Sequence, residues 1–177
     1  MTPRLLLPPF PVPGRLLRLL LAALLLALAG CATAPEFQLE GVDRSLTPAR
    51  AVQEDLRGER VFWGGTLAAV HNLQEVTHLE VVGYPLDADG WPRLEAEPLG
   101  RFIIEQRGFL EPAKYAPGRA VTVVGTLTAP LLGKVGERDY RYPVVLPEQL
   151  HLWPLDWQQR ARPNVRFSIG VGIGIHR

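Results

Sequence analysis

The sequence has a single cysteine, Cys31, and only two serines, Ser45 and Ser168. A lone cysteine excludes an intramolecular disulfide, so the stability of the fold must come from a hydrophobic core. Neither serine lies in a Gly-x-Ser-x-Gly elbow, and no Gly-x-x-x-x-Gly-Lys loop for phosphate is present. These absences argue against a serine hydrolase and against a nucleotide-binding enzyme.

Histidines and carboxylates give no stronger catalytic signal. The four histidines lack the spacing of metal ligands: His71, His78, His151 and His176. Even if His71 and His78 meet across a hairpin, a structural zinc site needs four ligands, which favours solvated or core-edge histidines. The pairs Glu95/Glu97 and Asp87/Asp89 lie in polar turn sequence typical of solvated or capping groups. The sequence therefore predicts no enzyme activity, no metal and no cofactor.

The N-terminal 30 residues contain no acidic residue. Three arginines precede or interrupt an apolar run that continues to Leu28-Ala29-Gly30, directly before Cys31. This pattern is typical of a secretory signal peptide, and Leu-Ala-Gly-Cys resembles the bacterial lipobox. We therefore predict a signal peptide over residues 1–30 and lipidation of Cys31. The alternative is a retained signal anchor over residues 16–28, but that run is shorter than the roughly 20 residues a span requires.

Residue 32 is alanine. By resemblance to lipoprotein sorting in enterobacteria, where Asp at this position retains the protein in the inner membrane, Ala32 implies a lipid-anchored protein of the Gram-negative outer membrane. The mature part would keep 16 basic and 18 acidic residues. With a slightly negative charge outside the cytoplasm, a nucleic-acid partner is not expected. The expected partners are the membrane, through the acylated cysteine, and an envelope protein or polysaccharide.

Beyond the cysteine, we predict a tether with a short helix over residues 31–58. Thr47 is the expected N-cap and Pro48 the expected first helical residue. From residue 59 to 156 the pattern changes to strands, and residues 157–177 form a basic tail with alternating Gly and Ile.

Five segments have period-two or turn-bounded strand character. They are 60–68, Thr77–Leu86, Arg101–Glu105, Ala120–Leu127 and Tyr140–Trp153. Five short strands predict an all-β fold, a small antiparallel OB-like barrel of five or six strands with a short N-terminal helix; the alternative is a β-sandwich. Pro143 and Pro147 predict an edge or bulge in the fifth strand, and Gly64, Gly65 and Gly125 predict bulges or tight corners. Trp63 and Val123 are predicted core residues.

The tail has two interpretations. Ile169, Val171, Ile173 and Ile175 alternate with glycines, which gives a strand with one apolar face and one bare face. It either completes the sheet as a sixth strand, or it is a segment that pairs with the strand edge of a partner or lies on the membrane surface.

Segments spread over residues 60–153 resemble the Slp family of starvation-inducible outer-membrane lipoproteins. They are Val61–Gly65, Thr77–Val82, Tyr84–Leu86, Gly100–Ile103, Gly108–Pro112, Tyr115, Gly118–Gly125, Lys134–Glu137, Tyr140–Val145 and His151–Trp153. The resemblance implies an outer-membrane location and a link to starvation or acid tolerance. It implies no catalytic residues.

Two functions follow as hypotheses. The first is a non-catalytic envelope lipoprotein that supports the outer membrane or binds another envelope component under stress. The second is a receptor for a small ligand or oligosaccharide on one barrel face, for which no ligand-binding residues are identified. A receptor should have a concave cleft with convergent aromatic and polar groups, whereas a scaffold should have a filled barrel with an exposed interaction patch.

Overall fold

A computed structural model describes residues 35–156. This part of the chain contains one short helix, α1 (Pro48–Gln53), followed by five strands. The strands are β1 (Arg60–Asn72), β2 (Val76–Tyr84), β3 (Gly100–Arg107), β4 (Ala120–Val135) and β5 (Arg138–Leu152). The predicted helix is confirmed, including its cap: the Thr47 hydroxyl accepts a hydrogen bond from the Arg50 amide at 3.3 Å.

The five strands form one sheet that closes in a ring, in the order β1-β2-β3-β5-β4, with β4 returning to β1. The prediction of an all-β domain is confirmed, and a single closed sheet replaces the two sheets that a β-sandwich would need. The pairing departs from a fully antiparallel sheet, because β3 and β5 are parallel, with Ile103 opposite Val144 and Ile104 opposite Val145. The connection from β3 to β5 passes through β4, which reverses direction and makes this pair parallel.

Alternate residues of each strand point into the ring, as the period-two pattern predicts. The interior is filled mainly by aliphatic side chains. Its members are Leu46, Val61, Trp63, Leu67, Leu79, Val81, Phe102, Ile104, Val121, Val123, Leu127 and Val145. Trp63 and Val123 are confirmed core residues, with 4% and 0% of their surface exposed. The Trp63 indole donates to the Leu46 carbonyl at 2.8 Å, which ties the segment before α1 to the core.

The two ends of the ring are closed differently. Ala51 and Leu56, in and after α1, cover the end where β3 begins; we call this the helix end. Leu110 and Tyr115 cover the other end, where β1 turns into β2 and β3 leads into β4. We call this the loop end, and define it as the turn 73–75, the loop 108–119 and the segment 153–156.

A second, smaller cluster lies outside the ring. Trp153 is 1% exposed and stacks on Trp91 with ring centroids 3.8 Å apart. Its indole donates to the buried Thr122 hydroxyl at 2.9 Å, and that hydroxyl donates to the Gly90 carbonyl at 2.7 Å. The β2–β3 loop is thereby fixed over the outer face of β1 and β4. Trp153 thus packs beside the core.

β4 and β5 are longer than predicted at their shared turn. They extend beyond the ring as a hairpin with Gly136 at positive φ in its turn. We call residues 128–142 the arm. Pro143 and Pro147 lie beside the two register irregularities of this pair, as the bulge prediction requires. The tail and its predicted sixth strand lie outside the described residues.

Replacing the buried tryptophan tests the filled ring. Trp63→Ala should lower the free energy of unfolding by about 3–5 kcal/mol, because it opens a large cavity and removes the hydrogen bond to Leu46. Urea unfolding followed by circular dichroism measures this change. Trp63→Phe is the matched control, since it fills most of the cavity and should lose clearly less. A loss below about 1 kcal/mol for the alanine variant would contradict a buried indole.

Candidate functional site

A cavity on the outer surface forms a groove between the ring and the arm. Its floor is the outward face of β2 and β3 with one residue of β1, and its wall is the arm. The lining residues are His71, Leu73, His78, Glu80, Ile103, Leu131, Leu132, Gly133, Lys134 and Tyr142. Its volume is about 380 Å³. We call it the arm groove.

Strand alternation places the polar groups of the groove. In β2, Leu79 and Val81 point inward and are fully buried, so His78 and Glu80 point outward. Glu80 accepts a hydrogen bond from Arg101 of β3 at 2.6 Å. The residue directly opposite Glu80 on β3 is Ile103, and Arg101 lies two positions away, opposite Val82. The ion pair is a diagonal cross-strand pair and fixes the two side chains across the floor of the groove.

Tyr142 joins the arm to this pair. Its hydroxyl lies 3.1 Å from both Glu80 Oε1 and the Lys134 carbonyl oxygen, and it donates its single proton to one of them at a time. Tyr142 is 4% exposed. Burial, together with the neighbouring Glu80 carboxylate, raises the pKa of Tyr142 to about 12. The hydroxyl is therefore a permanent hydrogen-bond donor at physiological pH.

Of the described histidines, His71 is exposed, whereas His78 and His151 are half-buried. His71 and His78 are register partners across β1 and β2, as the sequence suggested. On the other side of β2, the register partner of His78 is Glu105 of β3. His78 Nε2 lies 3.0 Å from Glu105 Oε2. Within residues 35–156 no three histidine, cysteine or carboxylate side chains are grouped to hold a metal. His151 packs against Trp153, and burial lowers its pKa.

The rim of the groove is apolar. Leu73 in the β1–β2 turn and Leu131 and Leu132 in the arm are 55%, 37% and 87% exposed. Lys134 stands beside them. The groove thus has a polar floor whose charges are already paired and a rim of exposed leucines, an arrangement suited to binding by contact rather than to acid–base chemistry.

A second cavity, of about 190 Å³, lies near the helix end. Arg44, Phe62 and Leu86 are among its lining residues, and the Arg44 guanidinium lies 5.4 Å from the centre of the Phe62 ring. Trp63 and Leu46 also border this cavity, and they already belong to the core. It is a crevice between the tether and the ring.

The carboxylates singled out in the sequence have structural roles. Asp87 accepts hydrogen bonds from the amides of Asp89 and Trp91 and thereby forms the turn. Glu95 pairs with Arg93 at 3.1 Å on the exposed surface. The predicted capping and solvated roles are confirmed for these two groups. Cys31, Ser168 and His176 lie outside the described residues.

Sequence reasoning did not find the arm groove. Its residues come from all strands, and Tyr142 reaches Glu80 only because the arm folds over the sheet. The one signal in the sequence was Val135-Gly136-Glu137-Arg138, a glycine-containing two-residue loop between apolar segments, which is typical of a tight hairpin. Between residues 35 and 156 no helix is long and apolar enough to cross a membrane.

A family model described as the outer membrane lipoprotein Slp family matches residues 28–170. The chain belongs to the Slp family. It is 32% identical to the uncharacterised lipoprotein YeaY of Escherichia coli K12 over 143 residues, covering 78% of this chain and 73% of YeaY. An uncharacterised protein of Haemophilus influenzae is 33% identical over 141 residues, covering 77% and 76%. No solved structure matches the chain.

The outer membrane protein Slp of Escherichia coli K12 is 32% identical over 98 residues, covering 55% of this chain and 52% of that protein. As a member of the Slp family, the protein is an outer-membrane lipoprotein. The family resemblance and the outer-membrane location expected from the sequence are both confirmed.

Titration of the tyrosines tests the groove of this Slp-family protein. Tyr142→Phe should remove an ultraviolet ionisation step near pH 12, where the pKa of Tyr142 lies. It should also lower stability by about 1 kcal/mol, because the hydrogen bond to Glu80 is lost. Since folding raises this pKa from 10.0, the stabilisation is fully present below pH 10.0 and is lost as the pH rises through about 12.

Tyr84→Phe is the control, and the step near pH 12 should survive in it. If the step survives in Tyr142→Phe as well, the hydroxyl is not held against Glu80.

Proposed function

We propose that this lipoprotein is non-catalytic, is anchored by acylation of Cys31, and supports the outer membrane during starvation or acid stress. The observation that carries the proposal is the packing of the tether. The Phe37 ring lies 5.0 Å from the Phe62 ring and 6.4 Å from the Trp153 ring. The folded domain therefore begins within a few residues of the predicted lipid anchor.

Polar contacts continue this packing along β5. The Gln38 amide donates to the Gln149 side chain at 2.8 Å. Arg60 pairs with Glu148 at 2.6 Å and also donates to the Glu40 carbonyl. The described part of the tether is thus bound to the ring rather than free, so the domain would be held close to the membrane instead of reaching across the periplasm.

The polar groups of the arm groove support the non-catalytic part of the proposal. Glu80 is engaged by Arg101 and Tyr142, and His78 by Glu105. A general acid or base needs a free, positioned group within hydrogen-bond reach of a substrate. Here the paired groups hold the arm against the sheet, which is a structural role.

We further propose that the ring is an OB-type barrel. The strand order β1-β2-β3-β5-β4 and the parallel β3–β5 pair support this assignment. In OB barrels the β2–β3 face and the loops β1–β2 and β4–β5 form the ligand site. The arm groove occupies the same face and is bordered by Leu73 and the arm.

That position favours one alternative function, a receptor for a small ligand or an envelope oligosaccharide. The groove is concave, and Lys134, His71 and the buried Tyr142 border its leucine rim. Sugars bind through such mixed surfaces of apolar contact and polar hydrogen bonding. The argument rests on the fold and on the groove together.

Processing of the cysteine tests the main proposal. Cys31→Ser should leave an unprocessed, unacylated precursor, because a hydroxyl cannot replace the thiol that accepts the lipid. Mass spectrometry of the purified protein shows this. Ala32→Asp is the matched control: it should still be acylated but should move to the inner-membrane fraction. Acylation of the serine variant would disprove anchoring through Cys31.

Titration of the protein with oligosaccharides released from lipopolysaccharide and from peptidoglycan tests the receptor alternative. Binding in the groove should weaken by roughly tenfold when Leu132→Ser removes rim contact area. Glu97→Gln, on the exposed β2–β3 loop, is the control and should bind as the wild type does. Isothermal titration calorimetry measures both, and absence of binding by the wild type would leave the scaffold function alone.

A further inference from the structure

Large apolar side chains are exposed at the loop end. Leu73, Phe109 and Leu155 are 55%, 69% and 80% exposed, and they are three of the six large exposed hydrophobic residues in the described part of the chain. Each comes from a different segment of the loop end: the β1–β2 turn, the β3–β4 loop and the residues after β5. Apolar groups gathered at one end in this way mark an interaction surface.

The outward position of Phe109 is fixed by the residues around it. Leu110, its neighbour, packs into the core. Leu110 exchanges two hydrogen bonds with the Asn72 side chain, at 3.0 and 3.2 Å, and the Thr77 hydroxyl donates to the Gly108 carbonyl at 2.7 Å. Because the chain is bound on both sides of Phe109, its ring cannot turn inward without breaking this network.

The three segments are also bonded to one another. The Gly108 amide donates to the Glu75 carbonyl at 2.8 Å, which joins the β3–β4 loop to the β1–β2 turn. Arg119 donates to the Lys114 carbonyl at 2.8 Å and to the Trp153 carbonyl at 2.7 Å, which joins the loop to the segment before Leu155. The loop end is therefore one preformed surface rather than three independent tips.

The tether runs toward the same end. From Glu40, beside Arg60 at the start of β1, the chain passes Gln149 and brings Phe37 against His151 and Trp153. Trp153 donates its amide to Ala120 at the first residue of β4, so it lies at the loop end. Going toward the N-terminus, the tether thus runs along β5 to Gln149, whose side chain also donates to the Glu36 carbonyl at 3.4 Å, and the Phe37 ring reaches Trp153 at the loop end.

The length of chain between the tether and the anchor sets the reach. Cys31 precedes Pro35, the first described residue, by four positions. Four residues span at most roughly 14 Å, even when fully extended. If Cys31 is acylated, its lipids lie within this distance of Pro35, two residues before Phe37.

We propose that the loop end is a membrane-contacting surface, and that Leu73, Phe109 and Leu155 insert into the lipid headgroup region beside the acyl anchor. This inference rests on the proposed acylation of Cys31. Apolar side chains at the interface would add to the anchor and fix the orientation of the ring. The helix end would then point away from the membrane.

The charges of the loop end are compatible with this orientation. Within the loop end, Glu75, Glu111 and Asp156 are acidic and Lys114 and Arg119 are basic, which leaves a net charge of −1. A single net charge neither attracts nor repels an anionic lipid surface strongly. Contact would therefore depend on the apolar side chains and on the anchor, not on net charge.

A depth measurement on the lipidated full-length protein tests the proposal. Acylation uses the sole native thiol, so one introduced cysteine can be labelled specifically. Phe109→Cys and Leu155→Cys place the label at the loop end, and Gln53→Cys, at the exposed C-terminal end of α1, is the control. The label is an environment-sensitive fluorophore, and the proteins are reconstituted in vesicles of phosphatidylethanolamine and phosphatidylglycerol that contain brominated lipid.

The two loop-end labels should be quenched at least roughly twofold more than the label at residue 53, because only they reach the headgroup region. Equal quenching at all three positions, or stronger quenching at residue 53, would overturn the proposal. Mass spectrometry of the same samples shows whether Cys31 is acylated, and so separates the proposed anchoring from the proposed membrane contact. Acylated protein without loop-end quenching overturns this inference alone, whereas protein without acyl groups on Cys31 overturns the proposed function and the inference with it.

Discussion

Closure of the ring depends on main-chain contact at positions where no side chain fits. A Cβ at Gly65 would overlap the Val82 carbonyl of β2, and one at Gly125 would overlap the Leu146 carbonyl of β5. The first contact lies between β1 and β2, and the second lies at a register shift between β4 and β5. β1 can therefore pair with β2 on one side and β4 on the other while the sheet bends enough to close. The filled interior, the capped ends and the outer cluster all depend on this bend.

Closure leaves an outer surface that the rest of the chain then uses. On the side of β1 and β4, Trp91 from the β2–β3 loop and Phe37 from the tether cover Trp153. On the side of β2 and β3, the arm covers Ile103 and Glu80. The tether is thus an integral part of the fold, since it completes an apolar cluster that would otherwise be open to solvent. A flexible linker that only spanned the distance to the membrane would have a small or polar residue at the position of Phe37.

Local patterns in the sequence predicted the elements better than their pairing. Thr47 and Pro48 identified the helix start because capping depends on neighbours in the chain. Pro143 and Pro147 identified irregular positions in β5 because proline cannot donate to the ladder. The predicted strand 120–127 nevertheless ended before the arm, whereas β4 continues to Val135, and the predicted strand 140–153 began two residues after the start of β5. Pro130 and the glycines near the turn weaken strand propensity there, and only the long β4–β5 ladder overrides it.

The candidate site was less predictable, since it depends on register. Glu80 has no special sequence context, and its partners Arg101 and Tyr142 lie 21 and 62 positions away. No spacing rule connects residues that far apart unless the strand order is known. By contrast, the lipid anchor is a local signal and can be predicted from residues 28–31 alone. The proposed orientation of the domain needs both kinds of information, because the predicted anchor would give the position of the membrane and the folded chain would give the side that faces it. Only three residues, 32–34, lie between Cys31 and Pro35, the first described residue of the tether.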